Sequence, residues 1–129
     1  MQLFLNAAFS EAGVWPDVVF SGHVHNYQRF RKQYPNGKTV PFIIAGAGGY
    51  AELHKIAQVG DRAFPDQSKL LDNVYLEKYC DETHGFLKIC IEKTATDFTL
   101  KGDYYTIDTL QGEATPATLY DSFTINLKH

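Results

Sequence analysis

The sequence predicts an α+β chain rich in β-structure, with one N-terminal helix followed by hairpins and largely antiparallel strands. Three observations carry this. Apolar residues near the start recur at three- and four-residue spacing, the period of a helix. An Asn36-Gly37 pair separates two strand-like runs. From residue 87 onward apolar and polar residues alternate, the period of half-buried strands.

Leu3, Phe4, Ala7, Ala8 and Ala12 mark the apolar face of the helix, and Gly13 and Pro16 stop it. Asp17-Val18-Val19-Phe20 is short, β-branched and apolar on both faces, which suits a buried strand in a covered sheet. Runs at 27–34 and 39–45 flank Pro35-Asn36-Gly37-Lys38, a hairpin turn because Asn and Gly both tolerate positive φ. Gly46-Ala47-Gly48-Gly49 ends the second of these strands. It has neither the Lys-Ser/Thr of a P-loop nor the G-x-G-x-x-G of a dinucleotide fold, so a tight turn is expected. Residues 51–83 mix Gly60, Pro65 and scattered charges and are expected to be a loop or insertion, with helical rhythm only at 51–58. Leu87, Ile89 and Ile91 alternate with Lys88, Cys90 and Glu92, and Phe98 and Leu100 alternate with Thr99 and Lys101. The turn between these two strands falls at Lys93-Thr94-Ala95-Thr96-Asp97, and Phe123-Thr124-Ile125-Asn126-Leu127 is the last strand.

At 129 residues the chain is expected to be a single domain, 1–129. With 44% hydrophobic and 21% charged residues it has an ordinary globular composition, and 14% aromatics leans toward β-structure. A net charge of −3 and a pI near 5.9 argue against nucleic acid or an anionic membrane as partner, since an acidic surface steers neither toward it. No apolar run is long enough to span a bilayer. Met1-Gln2-Leu3-Phe4-Leu5-Asn6 has no basic residues ahead of its apolar ones and does not read as a signal peptide, which leaves the compartment open. Cys80 and Cys90 are expected to be free thiols, Cys90 in a strand and Cys80 in the loop before it. A metal role for Cys80 with His84 would lack a third and fourth ligand nearby.

The chemistry concentrates in Gly22-His23-Val24-His25. Two imidazoles one residue apart, where a short strand breaks into a loop, form a metal-ligand arrangement. Each neutral ring offers one nitrogen to a cation, and the glycine is expected to make the sharp turn. The carboxyl end of a strand is also where open α/β sheets usually place their ligands.

The longer stretch, Pro16-Asp17-Val18-Val19-Phe20-Ser21-Gly22-His23-Val24-His25-Asn26-Tyr27-Gln28-Arg29-Phe30, resembles the last metal-binding block of the calcineurin-like metallophosphoesterases, most closely the purple acid phosphatase branch with its GHxHxYxR pattern. Pro41-Phe42-Ile43-Ile44-Ala45-Gly46-Ala47-Gly48-Gly49 looks like the family's strand with a Gly-rich turn that follows the histidines. The resemblance implies the β-rich C-terminal half of an αββα sandwich, and an enzyme that hydrolyses phosphate mono- or diesters by attack of a metal-bound hydroxide. It implies two divalent or trivalent metal ions (Fe, Mn or Zn), with His23 and His25 each binding a different one. Such a centre also needs carboxylate oxygens, one of them bridging the metals. Asn26, Tyr27 and Arg29 match the residues that follow, as candidates for substrate contact. Arg29 could reach phosphate, or it could be a strand residue paired with a carboxylate. Tyr27 could equally be a packing aromatic with a tethered hydroxyl.

The family's earlier blocks have no counterpart ahead of His23: an Asp-x-His, a Gly-Asp followed by an aromatic, a Gly-Asn-His and a further histidine. Asp17 lies too near the start of its strand to bridge two metals. Asp61, Asp66, Asp72 and Asp81 fall within 51–83, and His54 and His84 stand isolated. Zinc takes roughly three or four protein ligands, so this chain is expected to bind one metal weakly at most and to be inactive alone. It is expected to be the C-terminal portion of such an enzyme, with an open sheet edge and an uncovered apolar face. It would then form a homo-oligomer or pair with the missing N-terminal half. One alternative is a non-catalytic β-rich binding or interaction module that keeps the histidine pair as a relic or a single-metal clip. Another is a small α/β protein in which both are ordinary loop residues.

Overall fold

The computed structural model describes residues 2–49, 52–56, 64–108 and 116–127. Helix α1 (Gln2–Ala12) leads to β1 (Val19–Ser21) and then to the hairpin of β2 (Tyr27–Gln33) and β3 (Thr39–Ala45). The short β4 (Asp66–Gln67) and β5 (Val74–Cys80) complete a five-stranded sheet in the order β1-β3-β2-β5-β4. β6 (His84–Lys93), β7 (Phe98–Ile107) and β8 (Thr118–Leu127) form a three-stranded antiparallel sheet. Among the described residues β1 alone runs parallel to its neighbour. The chain is a β-rich α+β fold with one helix and largely antiparallel strands.

Helix α1 forms where expected and ends as the Gly13 N–H reaches back to the Ser10 carbonyl. It presents a different face, however. Phe4 is 76% exposed, and Ala7, Ala8 and Ala12 are exposed too. Leu5, Asn6 and Phe9 are the half-buried ones, with Leu5 and Phe9 one turn apart. Alanines have little apolar area to lose, so burying Leu5 and Phe9 removes more surface from water. Asn6 adds a polar anchor, its Oδ1 accepting from the Tyr34 hydroxyl at 3.0 Å.

The sequence predicts a buried strand over residues 17–20. The observed β1 is an edge strand shifted to Val19–Ser21, with Phe20 44% exposed. It pairs on one side, with β3, and no described strand covers its other edge. Asp17 precedes the strand, 3.4 Å from Lys38 Nζ.

The β2–β3 hairpin closes through a three-residue loop, Pro35-Asn36-Gly37. The Tyr34 N–H donates to the Lys38 carbonyl at 2.8 Å and the Gly37 N–H to the Tyr34 carbonyl at 2.9 Å. Gly37, at φ +82°, alone takes the left-handed conformation, as in a type I turn with a bulge. Asn36 contributes its side chain, which accepts from the Lys38 N–H at 3.0 Å.

The described residues within 51–83 hold more order than a loop. β5 lies there, between β2 and β4, and Cys80 is its last residue rather than part of the following loop. Residues 52–56 are not helical, and residues 51, 57 and 58 lie outside the described residues. A bulge hides β5 from a period-two search. Lys78 pairs with Arg29 and Leu76 with Phe30, which leaves Glu77 supernumerary. The strand therefore changes phase. Val74 lines an apolar groove of about 370 Å³ on the outer face of the sheet, with Leu5, Phe30, Phe42 and Ile44. Cys80, six residues on, lies in the core between the sheets.

That core centres on Tyr27 and Tyr104, both fully buried, with rings stacked 3.9 Å apart at 12°. Ile43 and Cys80 join them, and Val18, Leu87 and Phe123 pack around. A second bulge, at Tyr120 in β8, interrupts the pairing with β7 beside this core. Its hydroxyl donates to the Tyr79 carbonyl at 2.6 Å and ties the two sheets together. Both cysteines are free, Cys80 buried and Cys90 exposed.

Candidate metal centre

Residues 22–26 connect β1 to β2 and carry both histidines. They form two consecutive three-residue turns. The Val24 N–H donates to the Gly22 carbonyl at 3.0 Å, and the Asn26 N–H donates to the Val24 carbonyl at 2.8 Å. His23 is the apex of the first turn and His25 of the second. The sharp geometry falls on His23 itself, at φ +73°, and Gly22 does not take positive φ. A turn of this kind with positive φ is the rare, strained form. For a residue with a Cβ, the left-handed region costs about 1–2 kcal/mol, so the surroundings must hold the loop in place.

Two elements hold it. Gly46, at the end of β3, donates its N–H to the Asn26 carbonyl at 3.0 Å. A Cβ on Gly46 would collide with the Val24 carbonyl, so the glycine is required by the close approach of the histidine loop. Asn26 itself is 1% exposed. Its Nδ2 donates to the His54 carbonyl at 2.8 Å and its Oδ1 accepts from Gln28 Nε2 at 2.8 Å. Asn26 thus organises the loop from inside the protein.

The second element is the segment 52–56. The His54 N–H donates to the His25 carbonyl at 2.9 Å, and the His25 N–H donates to His54 Nδ1 at 3.3 Å. The two imidazoles stack 4.5 Å apart at 13°. His25 Nδ1 lies 3.1 Å from the Glu52 carbonyl. The segment is anchored further on, where the Ile56 N–H donates to Asp81 Oδ2 at 2.9 Å. His54, isolated in the sequence, is therefore a neighbour of the histidine pair. Its 29-residue separation from His25 carries no local pattern that could announce this.

Tyr27 and Arg29 serve the fold. The Tyr27 hydroxyl donates to Asp121 Oδ2 at 2.8 Å. Burial, and then the Asp121 carboxylate, push its phenol far above the ordinary tyrosine range. Arg29 binds Asp121 through Nε at 2.8 Å and Nη2 at 3.2 Å, and Glu77 through Nη1 at 2.6 Å. Burial alone would lower its guanidinium, but Asp121 and Glu77 outweigh that and hold it above its usual value. Pairing with carboxylates, the alternative role weighed for Arg29, is the one observed.

Protein-family models, curated proteins and solved structures offer no match to this chain.

Among the described residues, no group of three His, Cys, Asp or Glu side chains is placed to hold a metal ion. Asp81 is engaged with residues 55–56, and Asp66 lies in β4 with Asp72 in the turn before β5. Asp61 lies outside the described residues. His84 Nδ1 is 3.4 Å from the Ala47 carbonyl, and Cys80 Sγ donates to the Thr83 carbonyl at 3.7 Å. His23 and His25 stand at adjacent turn apices, and an imidazole is a donor suited to a borderline-soft divalent cation.

Proposed function

We propose that this chain serves a two-metal phosphoesterase, to which His23 and His25 each bring an imidazole ligand, one for each metal ion. The substrates would be phosphate mono- or diesters. The observation that carries this reading is the pair of consecutive turns over residues 22–26, which gives each histidine its own apex at the carboxyl end of β1. The strain at His23 supports it, because a left-handed non-glycine residue in a loop held on two sides marks a position kept for its side chain. Metal ions in such a centre (Fe, Mn or Zn) supply an activated water and neutralise charge at phosphorus. His25 fits as a ligand through its tautomer. The Glu52 carbonyl accepts only, so the ring proton sits on Nδ1 and the lone pair on Nε2. Asn26 and Gly46 hold the loop, while Tyr27 and Arg29 brace the sheets beneath it.

Carboxylate ligands would have to come from outside the described residues, either another segment or another chain. By itself the chain is expected to bind zinc or manganese loosely and to hydrolyse nothing. Native mass spectrometry with elemental analysis, before and after His23→Ala with His25→Ala, tests the ligand assignment, and a p-nitrophenyl phosphate assay tests the activity. Loss of metal in the double variant is expected. Unchanged metal content would overturn the assignment, and turnover by the isolated chain with two tightly held metals would overturn its dependence on outside ligands.

A further inference from the structure

We propose that His54, together with the Glu52 carbonyl, is a positioning clamp for His25 that fixes the ring's tautomer and direction; the role rests on the metal-ligand reading of His25 above. Segment 52–54 touches His25 at both its peptide and its ring. The peptide is held on both sides, with the His54 N–H on the His25 carbonyl at 2.9 Å and His54 Nδ1 accepting the His25 N–H at 3.3 Å. The ring is held along its edge by the Glu52 carbonyl at 3.1 Å and across its face by the His54 ring.

These bonds dictate opposite tautomers for the two histidines. A carbonyl has no proton to give, so His25 carries its own on Nδ1 and keeps its lone pair on Nε2. His54 Nδ1 receives a backbone proton, so His54 carries its own on Nε2. A metal-binding imidazole generally has its second nitrogen bound to a carbonyl or carboxylate in this way, which orients the ring and makes it a better donor. The His54 ring does not replace a backbone bond of the segment. Asn26 Nδ2 holds the His54 carbonyl at 2.8 Å whatever side chain stands at position 54. Side-chain changes at position 54 should therefore loosen His25 while leaving the segment docked.

Three variants separate the contributions. His54→Ala removes both the acceptor and the stacked ring. His54→Phe keeps a ring and loses the acceptor, and His54→Asn restores an acceptor at nearly the same distance along the side chain. Long-range proton–nitrogen NMR on the metal-free, 15N-histidine-labelled full chain, at a pH where imidazoles are neutral, reads the tautomer of His25. Titration with zinc ions then reads affinity at the same resonance. The wild type is expected to show the Nδ1–H form. His54→Ala should shift His25 toward the Nε2–H form that free side chains prefer and weaken zinc binding roughly 10-fold or more, with part of both recovered by His54→Asn. An Nε2–H tautomer in the wild type would overturn the clamp, as would a His54→Ala variant with tautomer and zinc affinity unchanged. A wild-type Nδ1–H tautomer that depends on His54, but with no zinc-induced change at His25, would support the clamp and overturn the phosphoesterase reading.

Discussion

Arg29 on β2 and Asp121 on β8 bind each other at two points, Nε to Oδ2 at 2.8 Å and Nη2 to Oδ1 at 3.2 Å. With their side chains 19% and 9% exposed, the pair bolts the two sheets together below the histidine loop. Glu77 and the Tyr27 hydroxyl complete the cluster, and the β5 bulge at Glu77 lets one carboxylate bridge Arg29 and Arg31.

Asp121→Ala is expected to cost about 3 kcal/mol, near the lower end of what breaking a buried pair costs, because Glu77 still compensates part of the Arg29 charge. Urea unfolding of the variant measures this. A double change, Arg29→Met with Asp121→Leu, should restore part of the loss, since Glu77 keeps Arg31 as its partner while the Tyr27 hydroxyl still lacks its acceptor.

The stacked tyrosines should respond in opposite directions to loss of a hydroxyl. Tyr27→Phe removes a hydrogen bond to a carboxylate and should destabilise the chain by about 1.5–3 kcal/mol. The Tyr104 hydroxyl is buried with no hydrogen-bond partner among the described residues, so Tyr104→Phe should be neutral or stabilising by about 1 kcal/mol. Equal losses in thermal unfolding would contradict this difference.

At alkaline pH the same groups set a stability limit. Burial raises the phenols of Tyr27, Tyr104 and Tyr120 above the unfolded value of 10.0. The unfolded chain then releases protons first, so the contribution of these groups is complete below that value and falls as pH rises above it. Ultraviolet titration should show part of the tyrosine ionisation only as the chain unfolds. Ionisation of every tyrosine while circular dichroism stays native would contradict this.

His23 is expected to show its strain. His23→Gly should be about 1 kcal/mol more stable than His23→Ala, since only glycine enters the left-handed region without a Cβ penalty. Denaturant midpoints of the two variants decide it, and a more stable alanine variant would mean that the turn relaxes once the imidazole is gone.

Much of the architecture was legible because local chemistry and fold agreed. Pro35, Asn36 and Gly37 make their turn with backbone and side-chain bonds of their own, and residues 123–127 alternate in burial as expected, while residues 87–91 form a strand in which Ile89 and Ile91 are exposed rather than half-buried. Other features depend on long-range packing and leave no local trace. The spacing in α1 predicts a face of Leu3, Phe4, Ala7, Ala8 and Ala12, whereas Phe4 is exposed and Leu5 and Phe9 are the half-buried ones. The shift of β1 follows from its place at the sheet edge, and β5 was hidden by its extra residue. Around the candidate site, the place of the histidine loop between two strands is legible in the residues that flank it. The sharp geometry is not, because it sits on His23 rather than Gly22. The partnership of His25 with His54 depends on how residues 52–56 return to the loop.

The supernumerary Glu77 has a consequence for how this chain tolerates change in length. Because Val74 and Cys80 serve opposite faces of one sheet across an even number of residues, β5 works as two half-strands of opposite parity. Removing Glu77 would do more than subtract a carboxylate. It would force one half-strand to turn inside out, or drag the other a residue along its neighbour. The same deletion at Asn36 would merely tighten a solvent-exposed bend. The frame of the fold is thus guarded most strictly in a stretch whose composition looks permissive.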